Sequence, residues 1–183
     1  FAIGAPACLP AATITFTNTT PTASDNSYTW YFQYPGLTPT STGLNAQNIY
    51  TAAGPHTVRL IATNVLTGCT GFVDQIVNNI HLAPVASFDF SKPSICTNQS
   101  VAVIGTASTG GDGSITTYTW NYGDGSATVT GATPAAHTYS IPKTYDVTLT
   151  VENNFGCKDD SVRKFTVYPY PTVDAGETHY VLE

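Results

Sequence analysis

Apolar and polar residues alternate along several short stretches of this chain, and a period of two is typical of β-strands with one buried face. Residues 13–17 alternate cleanly between Thr and apolar residues. In residues 145–151 the Tyr, Val, Leu and Val side chains share one parity and polar residues occupy the other. Turn sequences rich in Gly, Asp and Asn separate such runs, as at 110–113 and 123–125. Because no longer segment has a convincing helical period, the pattern predicts an all-β fold with antiparallel sheets.

The four cysteines show that the same pattern occurs twice. Cys8 and Cys69 are 61 positions apart, as are Cys96 and Cys157, and each member of the second pair follows its counterpart by 88 positions. Two equally spaced pairs predict one disulfide within each half, Cys8–Cys69 and Cys96–Cys157. Zinc ligation is the alternative, but the sequence has no CxxC pair and its four histidines are scattered. We therefore predict disulfides, an extracellular or cell-surface location, no metal and no cofactor.

A period near 88 residues fits a complete small domain. The sequence predicts two tandem modules, residues 1–83 and 84–170, the first of them divergent and with its first strand largely missing. Residues 171–183 are predicted to be a linker or the first strand of a following module. We expect the chain to be a piece of a longer array. An alternative is that the trailing strand completes a neighbouring copy, which would give a head-to-tail filament by strand addition.

Charge and hydropathy exclude two kinds of partner. Only 10% of the residues are charged and the net charge is −6, so there is no basic stripe to neutralise phosphates and no nucleic-acid partner is expected. No stretch approaches the roughly 18 to 20 apolar residues that cross a bilayer, so direct membrane insertion is not expected.

The second half carries an ordered set of motifs. Residues 118–126 read Tyr-Thr-Trp-Asn-Tyr-Gly-Asp-Gly-Ser, residues 137–139 read His-Thr-Tyr, and residues 145–151 read Tyr-Asp-Val-Thr-Leu-Thr-Val. Over about residues 84–168 this set resembles the polycystic kidney disease (PKD) domain. The first half shares the tryptophan and the cysteine spacing but lacks the Gly-Asp-Gly-Ser turn and the His-x-Tyr motif. Short strands, frequent turns and a central tryptophan predict an Ig-like two-sheet sandwich for each module.

Cysteine-bearing arrays of this kind are similar to repeats in large adhesins and gliding-associated surface proteins of bacteria that use type IX secretion. The resemblance implies an extracellular module engaged in adhesion or spacing. Its partners would be neighbouring modules or other copies of itself, with glycans or surface proteins as further candidates. Residues 160–162, Asp-Ser-Val, resemble the short O-glycosylation acceptor of such bacteria, which implies a glycan on Ser161.

Asp124, between Gly123 and Gly125, is the first candidate for chemistry. It could be a catalytic carboxylate or a calcium ligand, but an Asp in a turn accepts local backbone N–H bonds while flanking glycines supply positive φ. We interpret all three residues as structural. His137 receives the same interpretation because no nucleophile motif accompanies it.

Two further groups of side chains have alternative interpretations. Asp89 and Asp112 could contribute to a calcium site, although their spacing is not that of an EF-hand loop. Trp30 and Trp120 could stack on sugars, but aromatic neighbours two positions away favour core packing. The predicted core residues around the two tryptophans include Tyr118 and Tyr122.

These observations predict a structural protein rather than an enzyme: a stiff spacer or stalk in a bacterial surface or filament protein. A carbohydrate- or protein-binding accessory domain of a secreted hydrolase is the first alternative, and a filament subunit assembled by strand addition is the second.

Overall fold

The computed structural model of the protein describes residues 1–20, 25–36, 41–173 and 176. Within these ranges the chain forms β-strands and no helix. The strands are β1 (Ala2–Ile3), β2 (Ala7–Cys8), β3 (Ala12–Thr17), β4 (Asn26–Tyr31), β5 (Ser41–Thr42), β6 (Ala46–Tyr50), β7 (His56–Asn64), β8 (Thr70–Val77), β9 (Ile80–His81), β10 (Asp89–Phe90), β11 (Ser94–Cys96), β12 (Ser100–Val101), β13 (Val103–Ile104), β14 (Ile115–Asn121), β15 (Val129–Thr130), β16 (His137–Thr138), β17 (Thr144–Asn153) and β18 (Lys158–Tyr168).

The strands of the first half form a sandwich. One sheet has the order β1-β3-β6 and the other β5-β4-β7-β8. In β3 the side chains of Ala12, Ile14 and Phe16 are buried and the threonines between them are exposed, as their alternation predicts. These side chains share one core with residues of β4 and β7, including Trp30 and Leu60. The all-β, antiparallel fold class is therefore confirmed.

The second half builds a larger sheet with the order β11-β18-β17-β14-β15, together with the short pairs β10–β13 and β12–β16. Along β17 the side chains of Tyr145, Val147, Leu149 and Val151 are buried, which is the parity expected from the sequence, and Asn153 at the end of the strand is buried at the same parity.

The same tryptophan anchor occurs in both halves. Trp30 Nε1 donates a hydrogen bond to the carbonyl oxygen of Gly43 at 3.0 Å, and Trp120 Nε1 donates to that of Gly131 at 2.8 Å. Gly43 and Gly131 have φ of 130° and 114°, in the region that L side chains rarely adopt. Each glycine directly follows a short strand, β5 or β15, that pairs with the strand of its tryptophan. The indole N–H is thereby satisfied inside an apolar core.

The described residues divide into two compact units, and their boundaries differ from those of the two halves that the cysteine period defines. The first comprises residues 1–85, 108–117 and 151–159, and the second comprises residues 86–107, 118–150 and the chain from Asp160 onward. Two turns of the second half thus belong to the first unit. The module boundaries at residues 83 and 170 stay a prediction. A short first strand, β1, is present in the first half and pairs with β3 as β10 pairs with β13. Of the predicted trailing strand, residues 174–175 and 177–183 lie outside the described residues.

The predicted cysteine pairing is wrong. Neither Cys8–Cys69 nor Cys96–Cys157 forms; instead Cys8 is bonded to Cys157, with their Cα atoms 5.7 Å apart. Cys69 and Cys96 are free. The reason is local geometry: the turn that carries Cys157 packs beside β2 and β9 in the first unit, whereas Cys69 lies in an exposed turn at the start of β8.

Candidate functional site

The candidate site is the contact around the Cys8–Cys157 disulfide, which lies within the first unit. Cys8 ends β2, which runs parallel to β9 so that Cys8 lies opposite His81. The amide of Leu9 donates to the carbonyl oxygen of His81 at 2.9 Å and fixes this register. Cys157 follows the turn between β17 and β18 and is only 1% exposed. The bond therefore joins an early strand to a late turn of the chain.

Aromatic stacking and a contact between a histidine and a carboxylate surround the disulfide. The rings of His81 and Phe155 stack with centroids 3.6 Å apart and planes 6° from parallel. On its other side, His81 Nδ1 lies 3.2 Å from a carboxylate oxygen of Asp112. Three segments of the sequence are thereby held at one place.

Asn153 supplies the polar core of this contact. It is 1% exposed, and its Oδ1 accepts hydrogen bonds from the amides of Phe155 (3.1 Å) and Cys157 (3.0 Å). Its Nδ2 donates to the carbonyl oxygens of Leu82 (3.3 Å) and Gly110 (3.0 Å). Satisfying all these groups lets a polar side chain be buried without the desolvation cost of an unpaired one.

Gly111 lets the chain approach closely at the same place. Its φ is +73°, and a Cβ there would lie 2.5 Å from the carbonyl oxygens of Leu82 and Ala83. Any larger residue would push the 108–117 turn away from this segment. The Gly-rich sequence predicts a turn here, but nothing in it indicates what the turn packs against.

Asp124 forms a second polar cluster. One carboxylate oxygen accepts from the amide (3.0 Å) and the hydroxyl (2.6 Å) of Ser126, and the other lies 2.7 Å from His137 Nε2. Although partial burial acts to raise it, the hydrogen bonds from Ser126 and His137 hold the pKa of Asp124 at about 2. Gly123 has φ of 74°, and a Cβ there would lie 2.4 Å from the backbone oxygen of Asp146.

The same cluster continues into the core through aromatic rings. His137 stacks on Tyr122 with ring centroids 3.8 Å apart, and the hydroxyl of Tyr139 donates to the carbonyl oxygen of Tyr122 at 3.1 Å. Burial, with Asp124 nearby, raises the pKa of both tyrosines. Both carboxylate oxygens of Asp124 are thus occupied, one by Ser126 of the same turn and the other by His137. Gly125, with φ of 85°, completes the turn. This geometry agrees with a structural role.

The candidate sugar platform is not accessible at the tryptophans. Trp30 and Trp120 are both 0% exposed, and Tyr122 is also buried. Tyr118, in β14, is half-buried.

The candidate calcium ligands have other partners. Asp89 pairs with Arg163, and Asp112 pairs with His81. Among the described residues no three His, Cys, Asp or Glu side chains are grouped so that they could hold a metal ion. Ser161 lies half-buried within β18, and its glycosylation stays a prediction. No helix in the described ranges is long and apolar enough to cross a membrane.

Two packed sheets around a tryptophan core make the first half an Ig-like β-sandwich. Residues 81–167 match the sequence model of the family described as PKD domain, which supports a PKD domain in this part of the chain. The matched range includes the Asp124 turn, His137 and β17, which carried the resemblance in the sequence.

Three solved structures are similar to the chain. The PKD1 domain of the Vibrio cholerae metalloprotease PrtV is 34% identical over 47% of this chain and 98% of its own, with a TM-score of 0.41. A structure of carbohydrate-binding modules from the β-sandwich superfamily is 34% identical over 48% of this chain and 35% of its own, with a TM-score of 0.45. This chain therefore spans about a third of that structure's length. The fibronectin(III)-like modules of Clostridium thermocellum CbhA are 13% identical over 97% of this chain and 99% of their own, with a TM-score of 0.47.

Proposed function

We propose that the chain is a non-catalytic segment of an extracellular protein, in which tandem PKD-type modules form a spacer or stalk that bears tension. The observation that carries the proposal is the Cys8–Cys157 bond, whose partners are 149 positions apart in a chain of 183 residues. A disulfide of this span shortens the covalent path between the two ends of the chain. Tension applied at the two ends passes through the sulfur bridge and bypasses the strands that lie between Cys8 and Cys157, whereas β1 and β18, outside that loop, still carry it.

The size of this effect follows from chain geometry. An extended chain spans about 3.5 Å per residue, so the closed bond withholds about 520 Å of extension that an unfolded, reduced chain would release. In a spacer this bond limits lengthening even when the sheets yield. The oxidised bond also agrees with an extracellular location, where disulfides persist.

Single-molecule force spectroscopy tests the proposal directly. The chain is placed between folded marker domains and stretched with and without a reductant. Oxidised protein should give unfolding steps that together are about 520 Å shorter than those of the reduced protein. The double variant Cys8→Ser/Cys157→Ser should behave as the reduced protein without reductant. Full extension of the oxidised wild type would overturn the proposal.

A binding function is the second candidate, favoured by one exposed surface. The guanidinium of Arg59 lies 3.6 Å from the ring centroid of Tyr34 and 3.8 Å from that of Phe72, while Asp74 pairs with it at 2.6 Å. The hydrogen bond from Arg59 lowers the pKa of Asp74. Phe72 also lines a shallow cleft of about 230 Å³. A rigid aromatic and guanidinium surface of this kind suits a sugar or a protein side chain.

Glycan-array binding that Phe72→Ala removes would favour this accessory role over the spacer. The finer features of the proposal, which are an adhesin or filament, type IX secretion and a glycan on Ser161, rest on the sequence resemblance. Intact-mass analysis of protein from its native source tests the glycan. The strand-addition alternative concerns residues that lie mostly outside the described ranges.

A further inference from the structure

Cys96 occupies in the second half the position that bonded Cys8 occupies in the first. Cys8 pairs with His81 across the parallel strands β2 and β9, and Cys96 pairs with Tyr168 across the parallel strands β11 and β18. The next amide along the chain repeats the same bond: Thr97 N donates to the carbonyl oxygen of Tyr168 at 2.9 Å. Tyr168 is thus the counterpart of His81, the residue that stacks beside the disulfide.

Cys69 occupies in the first half the position that bonded Cys157 occupies in the second. Both end a turn that begins with an asparagine whose amide donates to the cysteine carbonyl oxygen at 2.9 Å, Asn64 in one case and Asn153 in the other. Each asparagine Oδ1 also accepts a 3.1 Å hydrogen bond from the amide two residues on. Because the amides that donate these bonds belong to Leu66 and Phe155, Leu66 is the counterpart of Phe155.

Exposure distinguishes the formed contact from its two unmatched halves. Cys157 is 1% exposed, whereas Cys69 at the equivalent turn position is exposed. Phe155 is 38% exposed and stacked on His81, whereas Leu66 is 76% exposed. Tyr168, unlike its half-buried counterpart, is 55% exposed. One surface therefore carries a half-buried cysteine whose strand partner is an exposed aromatic residue, and the other carries an exposed cysteine in a turn with an exposed apolar residue.

We propose that a second copy of this chain docks its 64–69 turn against the Cys96 edge and that Cys96 forms a disulfide with Cys69 of that copy. The docked pair repeats the Cys8–Cys157 contact, with Leu66 of the second copy packed on Tyr168 as Phe155 packs on His81. Since every copy carries both halves, the contact is heterologous and propagates head to tail. This inference rests on the proposed tandem arrangement and names its partner.

The bond forms by oxidation of two thiols, which lose two electrons and two protons. A low-molecular-weight disulfide such as oxidised glutathione is the oxidant. The thiolate of one cysteine attacks it and releases one reduced thiol, and the second cysteine thiolate then attacks the mixed disulfide and releases another. Docking raises the rate because it holds the two cysteines at high effective concentration.

A complementation experiment on the full chain tests the pairing. Cys69→Ser and Cys96→Ser proteins are each incubated with oxidised glutathione, alone and mixed in equal amounts, and run on non-reducing gels. Each variant alone should stay monomeric, the mixture should give one heterodimer band, and wild type should give a ladder of oligomers. Peptide mass spectrometry should find only Cys69–Cys96 links between copies. Homodimers of either variant at a similar yield, a statistical mixture of links, or a Cys69–Cys96 bond within one chain would overturn the proposal.

Substitutions that leave the cysteines in place test the docking itself. Leu66→Asp and Tyr168→Ala should each slow oligomer formation by at least tenfold while the alkylation rate of the free thiols is unchanged. Tyr170→Ala is the matched control, because Tyr170 is 53% exposed but is not the counterpart of His81. Equal rates for Tyr168→Ala and Tyr170→Ala would show collision-driven oxidation and refute the docked contact. Monomers in every mixture would refute the docking alone, since the force experiment tests the spacer independently.

Discussion

Removal of the Cys8–Cys157 bond should destabilise the protein strongly. In the chain-entropy model, closing a loop of 149 residues lowers the entropy of the unfolded state enough to stabilise the fold by about 5 kcal/mol, and measured values are typically about 2 to 4 kcal/mol. We therefore expect the double variant Cys8→Ser/Cys157→Ser to lose about 3 to 5 kcal/mol of unfolding free energy. That is a large part of the roughly 5 to 15 kcal/mol available to a typical domain.

Urea denaturation followed by tryptophan fluorescence measures this loss. Trp30 reports on the first unit and Trp120 on the second, and both are 0% exposed in the folded state. The matched control is Cys69→Ser/Cys96→Ser, which removes two thiols but leaves the bond and should change stability by less than about 0.5 kcal/mol. If the control lost as much as the double variant, the assignment of the stabilising bond would be refuted.

Peptide mapping decides the pairing without any assumption about energetics. Trypsin cleaves after Lys and Arg but not before proline, so the Lys92–Pro93 bond survives. The cysteines then fall in three fragments: residues 1–59, 60–143 and 144–158. The structure predicts that 1–59 is linked to 144–158 while 60–143 carries two free thiols. Joining of all three fragments would instead show the two bonds predicted from the spacing.

Three further predictions concern Asn153, Asp124 and the glycine that anchors Trp120. Asn153→Ala should lower the unfolding free energy by about 3 kcal/mol in urea denaturation, since it leaves buried backbone groups unpaired, whereas Asn64→Ala in the exposed counterpart turn should have a smaller effect. Asp124 has a folded pKa of about 2 against an ordinary 3.8, so its stabilisation is complete above pH 3.8 and is lost as the pH falls through 2. After discounting for solvent screening, that loss should be about 1 to 2 kcal/mol in acid titrations and should be absent from Asp124→Asn. Gly131→Ala should cost about 1 to 2 kcal/mol by thermal denaturation because its φ is 114°. A Gly131→Ala protein as stable as wild type would contradict the strain argument.

Strand periodicity and turn chemistry anticipate the parts of the fold that depend on local sequence. The alternation in β3 and β17 correctly indicates which side chains are buried. The Gly123-Asp124-Gly125 turn has positive φ at both glycines, as its sequence suggests. These features follow from sterics and burial within a few residues. The aromatic neighbours of the two tryptophans also predict that both lie in the core, and both are fully buried.

The disulfide could not be predicted in the same way. Equal spacing of Cys8–Cys69 and Cys96–Cys157 reflects the period of the sequence, and a period says which positions are equivalent, not which of them touch. The contact that brings Cys157 to Cys8 depends on backbone carbonyls and a close approach at Gly111, and hydropathy patterns do not record such groups. The sequence likewise does not indicate that Asn153 is buried with its side chain fully hydrogen-bonded.

The corrected pairing changes what the fold can do under load. Bonds within each half would close two loops of 61 residues and leave about 61 of the 183 residues free to extend, or about 210 Å. The bond between Cys8 and Cys157 leaves about 34 residues, or about 120 Å. In the chain-entropy model, two bonds that each close 61 residues would stabilise the fold more than one bond that closes 149, so stability alone does not favour the observed pairing. A bond that spans most of the chain is favoured where extension must be limited, and this is why the pairing, more than the sandwich fold, argues for a tension-bearing role.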